Sequence, residues 1–350
     1  MRKFLIAILF SLICLSVYTP VVYAHNELQG GRYFTLINEK DEVIHRTAHQ
    51  VSTGDIYITA DNARYKVVKL EGFQAFCEYE GKEKLSRPWN RKGILGFDLF
   101  RHAVPAAQNK KQPTIAIYHT HSDESYVPSD GKESIRGNGG IYDVGQTLTV
   151  QLKKMGFNVV HSDNRHDPHD VNAYHRSRKT AVNLLQKGPD AIIDVHRDAV
   201  PADVYKTNLK GEDVTKVKLV LGRQNPNMKS NLEFAKSLKA AMDKQTPGLS
   251  NGIYIGKGDY NQDLSPRSVL VEVGAHTNSK EEAQKGVAMF AQTLPEVFGV
   301  NTAAAGTRQE PARKPLEQNN QRAGSILITL LLVAGLAGGA YYLINRNTLK

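Results

Sequence analysis

Two histidines and two glutamates carry the chemistry that this sequence offers, and each follows a short apolar run. Residues 115–118 lead into His119-Thr120-His121-Ser122-Asp123-Glu124. Residues 191–193 lead into Asp194-Val195-His196-Arg197-Asp198, and residues 269–271 into Glu272. His121 and Glu124 stand in an H-x-x-E spacing, which lets one imidazole and one carboxylate in a turn reach the same ion. With His196 as third ligand, the set is two histidines, one glutamate and an open position, which suits a catalytic Zn2+. Such an ion acidifies water and polarises a carbonyl. Glu272 is then the candidate general base, taking the proton of water and passing it to a leaving amine. H-x-x-E alone is a weak signal in a chain with 12 histidines, but three such placements at strand ends are hard to obtain by accident.

Several neighbours compete for these roles. Strand alternation puts His119 on the same face as His121, so either is a candidate ligand. The spacing favours His121 and leaves His119 to contact substrate or support a ligand. Asp123 and Asp143 rank below Glu124 as carboxylate ligands. Arg178, within a helical stretch, and Arg197, beside His196, are candidates for gripping a substrate carboxylate; a solvent-facing role is as good a reading for Arg178. The Gly-rich loop at residues 136–140 lacks a Walker lysine, so phosphate binding is not expected. His45 and His49 read as ordinary surface histidines. Of two cysteines, Cys14 lies in the apolar leader and Cys77 stands alone, so a metal site must use histidine and carboxylate.

The elements that position these residues follow from periodicity. From residue 113 onward strands and helices alternate, which predicts an α/β domain. Its mostly parallel central sheet would be flanked by helices, with the site at the carboxyl ends of the strands. Residues 32–79 read as short strands, with Asp61-Asn62 as a hairpin turn. The expected organisation is a small β-rich domain and connector at 25–112, then a catalytic domain at 113–300.

The two ends point to the membrane. A charged start, an apolar run at 4–17 and Val22-Tyr23-Ala24 predict a signal peptide over 1–24. Residues 301–323 read as a flexible linker. Residues 324–344 are apolar and long enough to form a transmembrane helix. Arg346 and Lys350 place the tail at 345–350 in the cytoplasm. The expected location is therefore the cell membrane, single-pass, with the catalytic domain on the extracytoplasmic side. The net charge of +10 suits an anionic wall or lipid surface. No finger, RNP or basic-helix pattern points to nucleic acid.

Residues 118–126 (YHTHSDESY), 194–198 (DVHRD) and 269–274 (VLVEVG) resemble the stage II sporulation protein P family, over roughly residues 113–299. Residues 268–278 are also similar to the closing motif of zinc N-acetylmuramoyl-L-alanine amidases, in which the glutamate is catalytic. Residues 174–197 resemble the helix and strand leading to those enzymes' histidine ligand, and His121 matches their first histidine. The pattern departs at their glutamate ligand, which falls near Gly137 with no acid in register. Glu124 is the expected substitute, at the spacing found in zinc carboxypeptidases. The resemblance implies a zinc amidase-like fold and cleavage of the amide joining muramic acid to L-alanine in peptidoglycan. The family is also associated with endopeptidase cleavage of stem-peptide cross-links. It implies action during engulfment beside stage II sporulation proteins D and M, with residues 32–79 as a candidate docking segment. Members of the family are anchored at the N-terminus, so a C-terminal span would set this chain apart.

Overall fold

The computed structural model describes residues 27–28, 30–85 and 112–300. The β-prone runs of the first part form β1 (Phe34–Ile37), β2 (Val43–Thr47), β3 (Ile56–Ile58), β4 (Ala63–Glu71) and β5 (Gln74–Lys82). The hairpin between β3 and β4 turns through Asn62, at φ 68°, a left-handed conformation that asparagine tolerates. The second part gives β6 (Thr114–Tyr118), a short helix α1 (Val127–Asp130), α2 (Ile141–Lys154), β7 (Asn158–His161), α3 (Ala173–Leu185) and β8 (Ala191–Asp198). It continues with β9 (Lys206–Leu209), β10 (Glu212–Thr215), β11 (Val217–Gly222), α4 (Met228–Gln245), β12 (Ser250–Gly256), β13 (Ser268–Ala275) and α5 (Lys280–Phe298). A capping box starts α5, with Ser279 and Glu282 each accepting from the other's backbone N–H.

Eleven strands form one sheet in the order β2-β1-β5-β4-β3-β12-β11-β13-β8-β6-β7. The strands β13, β8, β6 and β7 run parallel. Strands β11 and β12 also pair parallel, and among the sheet's strands after residue 113 only β11 with β13 is antiparallel, so the expected mostly parallel sheet is present in that part. The N-terminal strands join it and make the whole sheet mixed. The cause is connectivity, because parallel neighbours need a crossover and only some links supply one. Helices α2, α3 and α4 serve as crossovers. The link from β8 to β11 is the hairpin β9–β10, and β11 runs antiparallel to β13. The N-terminal strands add mostly antiparallel pairs.

Among the described residues the strands on either side of the expected boundary near Gln112 belong to one sheet. Strand β3 pairs antiparallel with β12, Ile253 opposite Ile58 and Tyr254 opposite Tyr57. The β-rich segment thus extends the same sheet as the later α/β part. The expected signal peptide (1–24), linker (301–323), membrane helix (324–344) and tail (345–350) lie outside the described residues. Among the described residues no helix is long and apolar enough to cross a membrane.

Strand alternation divides the side chains into two layers. On one face Ile115, Ile117, Ile193, Val195, Val269 and Val271 pack with Leu148 of α2, Phe234 of α4 and Phe290 of α5. On the other, Ala116, Tyr118 and Ile192 meet Ala181 and Leu184 of α3. Asp194 and His196 alternate with Ile193 and Val195, and Glu272 with Val271 and Val273. All three therefore project from the α3 side of the sheet.

Candidate active site

Strand β6 ends at Tyr118, and the turn beyond it presents His121 and Glu124. His121 Nδ1 lies 3.0 Å from Glu124 Oε1. His196 Nδ1, from β8, lies 3.0 Å from the same oxygen. Glu124 Oε2 accepts the Arg197 backbone N–H at 2.9 Å. The turn is tied to β8 by Asp194, which accepts from Thr120 N–H at 2.8 Å and from its hydroxyl at 2.5 Å. It is braced behind by the Gly-rich loop: a Cβ on Gly139 would lie 2.5 Å from the Glu124 carbonyl oxygen and 2.7 Å from that of Ser122. Only glycine fits that approach.

Glu272 is the register partner of His196 in the adjacent parallel strand. Immediately after it the ladder shifts between Glu272 and Ala275. Gly274 takes φ +74° there, which lets the strand bulge beside the site. Glu272 Oε1 lies 2.8 Å from His49 Nε2, and Oε2 is buried with no hydrogen-bond partner among the described residues. The structure thus brings together His121, Glu124, His196 and Glu272, around a small cavity whose walls also include Glu27, His49, Tyr174, Arg197 and Asp198.

The electrostatics follow from burial and pairing. Burial pushes the Glu272 carboxyl above its usual range, and the His49 hydrogen bond only partly offsets this. For Glu124 burial pushes the same way, but His196 and Arg197 outweigh it and hold the carboxyl well below the ordinary range. Burial, reinforced by the charge of His169, pushes His121 down to about 4. For His196 burial opposes the charge, yet Asp194 and Glu124 outweigh it and favour the protonated ring. A bound metal would replace that proton, since a ligating imidazole is neutral.

Two overlapping donor sets are present. The expected one is His121, Glu124 and His196. The other is Glu27, His121, Glu124 and His169, whose ligand atoms all lie within 4.8 Å of one another. His196 is outside that group of four, although it touches Glu124. In the second set Glu27 is already bound by Arg197 at 2.7 Å and by His169 at 2.6 Å. His196 stands on a buried strand beside Glu272, its Nδ1 meets the same Glu124 oxygen as His121 Nδ1, and its Nε2 lies 3.0 Å from Asp194 Oδ1. We favour the first set on that ground. Two imidazoles, one carboxylate and no cysteine fit a catalytic zinc.

Other candidates fall elsewhere. His119 is fully buried, its Nδ1 3.0 Å from the Val195 carbonyl oxygen and its Nε2 2.9 Å from His161 Nε2. Alternation does not carry through to His121 because the strand stops at Tyr118, so the two rings part. Asp123 pairs with His169 at 3.2 Å and accepts from Ser134. Asp143 is on α2 and bonds Lys280 at 2.7 Å. Arg178 is committed to a two-pronged pair with Asp263, at 2.8 and 2.5 Å, and does not line the cavity. Arg197 does line it, its guanidinium held by Glu27 and the Glu133 carbonyl. His45 and His49 were expected at the surface, and both are buried. On β2 the buried positions are the polar His45 and Thr47, while the apolar Val43 is exposed, so a hydrophobicity pattern does not reveal that face. Glu27, His49 and His169 carry no local motif that spacing alone picks out.

The family model for Stage II sporulation protein P (SpoIIP) matches residues 33–295. Among curated proteins, Stage II sporulation protein P of Bacillus subtilis (strain 168) is 28% identical over 229 residues, covering 59% of this chain and 57% of that protein. The chain therefore matches little more than half the length of this relative. Among solved structures, the apo N-acetylmuramyl-L-alanine amidase Ami1 from Mycobacterium abscessus is 17% identical with a TM-score of 0.35, covering 53% of this chain and 97% of that one. The CwlD amidase from Clostridioides difficile, in complex with the GerS lipoprotein, is 11% identical with a TM-score of 0.35, covering 54% and 100%. Structural scores of this size carry no inference about chemistry. The family match is of another order, running from before β1 into α5, and on it the chain belongs to the stage II sporulation protein P family.

Proposed function

We propose that this protein is a zinc-dependent peptidoglycan hydrolase, an N-acetylmuramoyl-L-alanine amidase acting in sporulation. It would work on the extracytoplasmic side of the cell membrane, anchored by residues 324–344. The observation that carries the reading is the convergence of His121 and His196 on one oxygen of Glu124, with a second buried carboxylate, Glu272, one strand away. His121, Glu124 and His196 would hold Zn2+, which when bound supplies Lewis acidity toward water and the scissile carbonyl.

The protein's own groups do the rest. Glu272 takes a proton from the attacking water at Oε2, the oxygen without a hydrogen bond, and delivers it to the departing L-alanine amine. Its raised pKa suits a group that must both accept and return a proton. Asp194 steadies the His196 ring and the turn carrying His121. Arg197, fixed by Glu27 and backbone carbonyls, supplies a permanent positive charge at the cavity wall for anionic parts of the stem peptide. Stage II sporulation proteins D and M are the proposed protein partners.

Digestion of purified peptidoglycan tests this reading. The wild-type chain should release intact stem peptides bearing a free L-alanine amine, and Glu272→Gln should release none while still binding zinc. Loss of cross-links with stem peptides left on the glycan would replace the amidase by an endopeptidase. Wall binding without zinc or turnover would make the protein a scaffold.

A further inference from the structure

The proposed reaction leaves one contact of Glu272 unused. His49 Nε2 lies 2.8 Å from Glu272 Oε1, and it is the one hydrogen bond to that carboxylate among the described residues. His49 belongs to the N-terminal β-rich segment, just beyond β2, while Glu272 lies 223 positions later on β13. The ring is held from several sides. It stacks on Tyr254 with centroids 5.7 Å apart and meets Tyr260 edge-on at 6.1 Å. Its backbone N–H donates to Thr47 Oγ1 at 3.3 Å. The preceding Ala48 N–H donates to Asp198 Oδ1 at 3.0 Å, and Lys218 holds the other oxygen of Asp198 at 2.5 Å. Asp198 is two residues past His196 on β8, so the strand that carries His196 also fixes the backbone that carries His49.

An ionised carboxylate only accepts hydrogen bonds, so Nε2 is the protonated nitrogen of the His49 ring in this pair. The bond occupies Oε1 and leaves Oε2 as the more basic oxygen. We propose that His49 is a positioning residue for Glu272: by donating to Oε1 it fixes the plane of the carboxylate and presents Oε2 for proton transfer. The β-rich segment then completes the active site. The proposal rests on Glu272 being the base, and its test separates the two.

In the full-length chain, His49→Phe keeps a ring against Tyr254 and Tyr260 but removes the donor. His49→Gln keeps a donor and loses the ring. At saturating purified peptidoglycan, H49F should turn over about tenfold to a hundredfold more slowly, the loss expected for a misplaced reacting group. Its half-saturating substrate concentration and zinc content should stay as in wild type, and H49Q should regain most of the rate. In an E272Q background H49F should add no further loss. A role in packing alone predicts the reverse order, with H49F active and H49Q impaired, and that order would overturn the proposal. So would a fall in zinc content parallel to the fall in rate. Full activity of H49F beside an inactive E272Q removes the positioning role and spares the base, whereas full activity of E272Q removes both.

Discussion

Glu124 accepts from two imidazoles and a backbone N–H while fully buried, and a site so arranged makes distinct predictions for its neighbours. Replacing His196 by alanine should weaken zinc binding by more than the 10–100-fold typical for loss of an outer partner. Replacing His169 should leave zinc content near wild type. Equilibrium dialysis of both variants checks this, and the opposite ranking would move the centre to the Glu27–His169 set. His169 has a separate signature. Burial opposes its charge, but the hydrogen bonds it donates to Asp123 and Glu27 raise its pKa from 6.5 to about 10. Its stabilising contribution is then fully present below pH 6.5 and fades as pH rises through about 10. Glu27 behaves conversely: burial raises its pKa, Arg197 and His169 more than offset this, and it falls from 4.5 to about 2. Its contribution holds above pH 4.5 and fades toward 2. The melting-temperature gap between wild type and His169→Gln should therefore be widest near pH 5–6 and close above about pH 10, as thermal scans would show. A gap that widens with alkaline pH would contradict the pairing.

At the level of elements, the turn after β6 keeps its shape because Gly139 lets the loop behind it press against two carbonyls. Gly139→Ala should cost about 1–3 kcal/mol by overpacking and lower zinc affinity through Glu124, both measurable by denaturant titration and dialysis. An unchanged stability would mean the loop yields freely. The sequence showed that loop only as glycine-rich. The strands that carry His121, His196 and Glu272 were legible because buried parallel strands read as continuous apolar runs ending in polar residues. His49 was not legible: it follows a strand whose buried positions, His45 and Thr47, are polar while the apolar Val43 is exposed, so no apolar signal marks the face. His119 misled for a related reason, since alternation was extended past the point where the strand stops. The direction of β11 was also beyond periodicity, which gives an element's faces and not its sense in a sheet.

Across the whole molecule, the pairing of β3 with β12 and the reach of His49 to Glu272 join the two halves that composition separates. A fragment limited to residues 113–300 would expose the β12 edge and lose a wall of the cavity. It should aggregate or show strongly reduced turnover when compared with the full chain by size-exclusion chromatography and digestion assay. A monomeric, fully active fragment would show that the N-terminal strands are dispensable. The anchoring expected of residues 324–344 is separable from this, since cell fractionation of a chain ending at residue 323 should move it from the membrane to the soluble exported fraction.

The most direct test of the account is the release of free L-alanine amine from purified peptidoglycan by the full-length chain after metal removal by a chelator and again after zinc is restored. The account predicts that release stops on chelation, returns with stoichiometric zinc, and never appears in the Glu272→Gln variant even though that variant binds the ion. Undiminished release from a chain stripped of metal would contradict it.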